Sequence, residues 1–145
     1  MSKFISLTSL AVLASATLFV MAQQTPKVTA VSIKPTSAAS GQQMYTTYCA
    51  ACHGANATGN GPAAKALKIP PTDLTMLSQK SGGVFPSNHV SSVLQFGLEN
   101  PAHGSPDMPV WGDLMRTLDT GSSNPDVLVR QRITNLTGYL RTVQK

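Results

Sequence analysis

Soft metal ligands are scarce in this chain: two cysteines and three histidines in 145 residues. A structural zinc site asks for about four nitrogen or sulfur ligands, and neither His89 nor His103 stands in a paired H-x3-5-H spacing that would complete one. Strand patterns are almost absent, so the βαβ surroundings of a thioredoxin-like redox pair are missing too. The glycines around position 60 are not followed by Gly-Lys-Ser/Thr, which excludes a phosphate loop. No repeat recurs along the chain, and its length allows one domain. Acidic residues number only six against eleven Lys and Arg. The resulting charge of +5 is unevenly spread, however. From Ser81 to Asp126 the charged residues are Glu99, Asp107, Asp113, Arg116, Asp119 and Asp126, while positive charge gathers before residue 81 and after residue 129. The chain is a dipole, and its scattered basic residues are not interleaved with aromatics as a nucleic-acid footprint requires.

The two cysteines that are present stand together in Cys49-Ala50-Ala51-Cys52-His53. C-x-x-C-H is the pattern of covalent haem attachment. Two thiols three residues apart on a helix share a face and can add across the haem vinyl groups, and the adjacent imidazole then reaches the iron. A disulfide or a redox pair are the competing uses of the same two thiols. Ser40 is a good N-cap, and a first helix from Gly41 leading into the motif is expected, with Met44, Tyr45 and Tyr48 on its apolar face.

The N-terminal region points to export. Lys3 precedes an apolar run from Phe4 to Met21, and Ala22 offers a small residue before a cut at Gln23, so residues 1–22 read as a secretory signal. An uncleaved anchor is the alternative, since the run is about long enough to span a thin bilayer core. No cysteine near its end supports a lipid anchor. Thioether formation suits an oxidising compartment outside the cytoplasm, where the thiols would otherwise pair. Residues 23–39 are Thr-, Ser-, Pro- and Ala-rich without a period and read as a flexible tether, leaving residues 40–145 as the folded domain.

Within that domain, residues 54–62 form a Gly- and Asn-rich loop. A backbone carbonyl near Pro62 is expected to accept the Nδ1 proton of His53, fixing the ring and raising its basicity toward a metal. Short helices are expected over 63–68 and, capped by Thr72, over 73–79. A third begins at Ser87, with Val90, Val93, Leu94 and Phe96 as its apolar stripe and Gly97 at its end. The last helix is the clearest. Asn124 caps it, Pro125 occupies its first turn, and Val129, Ile133, Leu136, Leu140 and Val143 share one face. The class is small and all-α.

For a second axial ligand, Met108 stands out from Met44, Met76 and Met115, which lie at helical spacings and read as core. It sits between Pro106-Asp107 and Pro109, in a stiff non-helical segment that can hold a thioether at a metal with little entropy to lose. His89 and His103 are the alternatives for that position. Trp111 fits equally a place on the haem edge, its N–H toward a propionate, or simple core burial.

Taken together, these residues resemble the class I monohaem c-type cytochromes of bacterial periplasm. The resemblance runs from Ser40 to Lys145 and rests on Cys49-Ala-Ala-Cys52-His53-Gly54, Gly59-Asn-Gly61-Pro62, Met108-Pro109-Val110-Trp111-Gly112, and the pairing of Gly41 and Tyr45 with Leu136 and Tyr139. It implies four to five helices around one covalent haem c held between His53 and Met108. It also implies a periplasmic electron carrier of the respiratory chain, without substrate chemistry of its own. Its partners would be a quinol-oxidising complex or dehydrogenase as donor and a terminal oxidase or reductase as acceptor. A dedicated cytochrome subunit of a larger oxidoreductase is the alternative use of the same domain, and a ligand-binding sensor or peroxidase would need an open sixth position. The acidic run near Met108 departs from the lysine-ringed haem edge of mitochondrial relatives.

Overall fold

A computed structural model describes residues 33–97, 108–118 and 121–145. The expected signal segment, most of the tether, His103 and Pro106-Asp107 lie outside these residues. Among the described residues the secondary structure is helical, without strands, as expected. The first helix is continuous but changes pitch: α1 (Gly41–Met44) passes into a π-helical stretch (Tyr45–Cys49) and then into α2 (Ala50–His53). Ser40 Oγ accepts from the N–H of Gln43 at 3.1 Å, which is the expected N-cap. Two 3-10 turns follow (Ala64–Ala66 and Leu74–Met76), then α3 (Leu77–Lys80), α4 (Ser87–Phe96), α5 (Trp111–Thr117) and α6 (Pro125–Thr142). No helix among the described residues is long and apolar enough to cross a membrane.

The last helix is the hub, with α1, α4 and α5 all packed on it. Its apolar stripe is the one the sequence spells out: Val129, Ile133, Leu136 and Leu140 are buried. Full burial of such a side chain contributes about 1.5–3 kcal/mol. Asn124 Oδ1 caps it by accepting from Val127 N. The α1/α6 crossing is close because Gly41 has no side chain. A methyl there would overlap the carbonyl oxygen of Asn135 and come within 2.8 Å of Tyr139 Cβ. One turn on, the rings of Tyr45 and Tyr139 meet with centroids 5.3 Å apart.

Several local expectations are corrected. The helix expected over 63–68 is a single 3-10 turn. The cap of the next segment is Asp73, whose carboxylate accepts from Thr75 N, rather than Thr72. Phe96 is 64% exposed. It lies two residues beyond buried Leu94, about 200° around the helix, and so leaves the stripe. Residues 34–39, the end of the stretch read as a tether, are fastened to the domain. Buried Arg132 donates to the Thr36 carbonyl at 2.9 Å, Asn135 to the Ala38 carbonyl at 2.8 Å, and Tyr48 Oη to the Lys34 carbonyl at 2.7 Å. The bonds come from side chains far along the sequence, so the segment needs no apolar period of its own.

Candidate functional site

Cys49 closes the π-helical stretch and is buried; Cys52 lies one turn on, half-buried, in α2. Burial, with the neighbouring Cys52 thiol adding to it, pushes the Cys49 thiol up to about 12. His53 ends α2, and the chain leaves the helix through Gly54 at φ +80°, a conformation that favours glycine.

A helix end leaves its last carbonyls without intrahelical partners. Here the loop after Gly54 turns back along α2 and supplies them. Ala63 N donates to the Ala51 carbonyl at 2.9 Å, Gly61 N to Cys52 at 3.0 Å and Gly59 N to His53 at 2.8 Å. Tyr45 Oη donates to the Gly54 carbonyl at 2.6 Å from inside the core. Burial is the main reason its phenol is pushed up to about 12, with Cys49 and Tyr139 adding to the shift.

The ring of His53 is held by one bond. Its Nδ1 lies 3.0 Å from the carbonyl oxygen of Thr72, which can only accept. Nδ1 therefore carries the proton, and Nε2 keeps its lone pair. Burial lowers the pKa of the ring, partly opposed by the Thr72 carbonyl, and favours the neutral state that binds metals. The expected acceptor near Pro62 is thus corrected. Pro62 is exposed, and its neighbours turn their N–H groups to the end of α2. The carbonyl that faces the ring comes ten residues later. Pro70-Pro71, which restrict the backbone ahead of Thr72, were the available signal.

Met108 is half-buried and packed against the apolar core, in a non-helical segment completed by Pro109 and Val110. Trp111 opens α5 and is buried, its ring centroid 5.6 Å from that of Tyr48. Its burial among core side chains is compatible with both roles expected of it. The contact also joins the Met108 segment to the helix that carries the two cysteines. His89 is exposed on α4, and His103 is not among the described residues. Sequence reasoning missed Tyr45 and Thr72 as parts of the site.

Among the described residues no cluster of three or more His, Cys, Asp or Glu side chains is placed to hold a bare metal ion. Two thiols one helical turn apart, followed by a neutral imidazole with its outer nitrogen already bonded, fit haem attachment instead. A small all-α domain built around such a site defines a c-type haem protein. A profile of the cytochrome c family matches residues 38–144, and the chain belongs to that family. No curated protein sequence matches it. The family carries covalently bound haem c with its iron, with which the C-x-x-C-H spacing of Cys49 and Cys52 is consistent, and its members act as haem-based electron carriers.

Proposed function

We propose that this protein is a periplasmic one-electron carrier whose iron is bound by His53 and Met108. The observation that carries this reading is the Thr72 carbonyl 3.0 Å from His53 Nδ1, which favours the proton on Nδ1 and leaves Nε2 as a ready donor. Bound haem c supplies the redox chemistry, an iron that cycles between ferric and ferrous states. The protein's part is to hold its ligands still. Cys49 and Cys52 anchor the group on one helix, the Thr72 carbonyl orients the imidazole, and the segment before Trp111 presents a soft thioether. His53 and Met108 together would exclude outside ligands from the bound group and would favour electron transfer without bond making.

The Lys3-led apolar run supports an extracytoplasmic location, and recovery of the mature chain in the cytoplasmic fraction would count against it. Partners are then a quinol-oxidising complex or dehydrogenase and a terminal oxidase or reductase. The absorption spectrum of the ferric protein tests the ligation, since a Met sulfur–iron bond gives a weak long-wavelength band. Met108→Ala is expected to abolish that band, admit cyanide or carbon monoxide and lower the reduction potential. An unchanged potential and unchanged ligand exclusion would overturn the assignment of Met108.

A further inference from the structure

We propose that Gln144 is a positioning residue for His53: it clamps the segment whose Thr72 carbonyl holds the imidazole, and so helps to set the reduction potential. This rests on the reading of His53 as an iron ligand. Residues 72–78 form a short irregular run, a 3-10 turn followed by one turn of α3, which cannot fix its own position. Its first residue carries the carbonyl that faces His53 Nδ1 at 3.0 Å. Two residues later, both backbone groups of Leu74 are held from outside the run. Its N–H donates to the Ala57 carbonyl of the loop after the haem motif at 2.8 Å. Its carbonyl accepts from Gln144 Nε2 at 2.7 Å.

The same Gln144 side chain makes two further bonds. Its Oε1 accepts from Ser78 N at 2.9 Å, and its Nε2 also donates to the Leu140 carbonyl near the end of α6 at 2.7 Å. Lys145 N adds a bond to the Thr75 carbonyl at 3.0 Å, and Thr75 itself is buried. One amide thus ties the end of the hub helix to both ends of the 74–78 turn, and through Leu74 to the haem-motif loop. The chain of contacts runs from α6 through Gln144, Leu74 and Thr72 to the ring of His53.

The consequence follows from the bond at Nδ1. A carbonyl held close to the N–H makes the imidazole a stronger donor through Nε2, which favours the ferric over the ferrous iron and lowers the potential. Loosening Leu74 weakens that bond and moves the potential up. In the holoprotein, Gln144→Leu removes all three bonds at similar size. It is expected to shift the one-electron equilibrium toward the ferrous form about threefold, which is about 28 mV at 59 mV per tenfold. Solvent exchange of the His53 Nδ1 proton is expected to quicken.

The control is Arg141→Ala at the same helix end. It gives up the bond to Ser87 Oγ and the stack on Phe85, so it is expected to lower Tm while leaving the potential and the exchange rate unchanged. An unchanged potential in Gln144→Leu, or an equal shift in Arg141→Ala, overturns the proposal. Should Gln144→Leu fail to accumulate with haem, Gln144→Met serves in its place. It loses the same three bonds without placing a charge beside the Leu74 and Leu140 carbonyls, so a shift of the same sign is expected and no shift overturns the proposal. Hyperfine-shifted ring signals of His53 in the ferric parent separate the two readings. Their absence removes His53 as a ligand and the proposal with it; their presence with an unmoved potential removes only Gln144.

Discussion

The two flanks of the proposed site, around His53 and around Met108, are held by different forces. Around His53 the work is done by directional bonds: the carbonyls of Ala51, Cys52 and His53 each receive an N–H from the returning loop, Gly54 receives the Tyr45 hydroxyl, and Thr72 receives the ring itself. Around Met108 the hold is packing. Trp111, Gly112 and Met115 are buried, and the start of α5 is marked by one long bond, Leu114 N to the Val110 carbonyl at 3.4 Å. The difference matches what each side chain would need under the proposed ligation. An imidazole must be aimed about its ring axis, which hydrogen bonds do and apolar contact does not. A thioether is flexible and polarizable and needs chiefly to be kept in place.

Removing the packing anchor of the Met108 flank should have the largest effect. Trp111→Ala empties a buried site against Tyr48 and is expected to cost about 4 kcal/mol, read by denaturant unfolding. The Met sulfur–iron band should weaken while the His53 ring signals persist; loss of both together would show that the flanks are not separately held. Gly41→Ala comes next. Its methyl meets the Asn135 backbone, which cannot step aside as a side-chain tip would, and the expected loss is on the order of 3 kcal/mol. Here the long-wavelength band should survive for as long as the domain is folded.

A smaller effect, confined to the His53 flank, is expected from Tyr45→Phe. The ring and its contact with Tyr139 remain, but the Gly54 carbonyl loses its buried donor, for about 1.5 kcal/mol. The phenol also sets an alkaline limit. Its pKa is raised from 10.0 to about 12 chiefly by burial, so the folded state holds the proton more tightly than the unfolded chain. The stabilisation is complete below pH 10 and is lost as pH climbs toward 12. Unfolding free energy measured across that window should fall in the parent and fall less in Tyr45→Phe. Equal slopes would mean that another group governs the alkaline limb.

What the sequence made legible follows the same divide. Features with a local period or a fixed spacing were readable: the C-x-x-C-H turn, the Ser40 and Asn124 caps, the α6 stripe, and Gly41 and Tyr45 facing Tyr139. Features made of bonds between distant residues were not. Thr72 meets His53 across 19 positions and Gln144 meets Leu74 across 70; Pro70-Pro71 marks a restricted bend ahead of Thr72, but no local pattern says which distant residue either segment meets. Arg132 shows a different failure. It lies next to Ile133 on the buried side of α6, yet its charge argues for solvent; partners such as the carbonyl and hydroxyl of Thr36, 96 residues away, offset the cost of burying it. The π-helical stretch likewise leaves no mark in residue type, since Tyr45 to Cys49 would serve an ordinary helix as well.

The weakest contact on the Met108 flank sharpens the contrast. Arg116 of α5 pairs with Asp126 of α6, and both side chains are more than half exposed. Ion pairs in that setting work against solvent screening and lost side-chain entropy, so Arg116→Ala should cost no more than about 0.5 kcal/mol. Raising the salt should erase even that difference, because exposed charges are screened over roughly 10 Å at 0.1 M ionic strength. The Met sulfur–iron band should not move at all if buried Trp111 and Met115 fix α5. A loss above about 1 kcal/mol, or a weakened band at low salt restored by no repacking, would place charge rather than packing at the root of that flank. The division between a bonded His53 side and a packed Met108 side would then have to be redrawn.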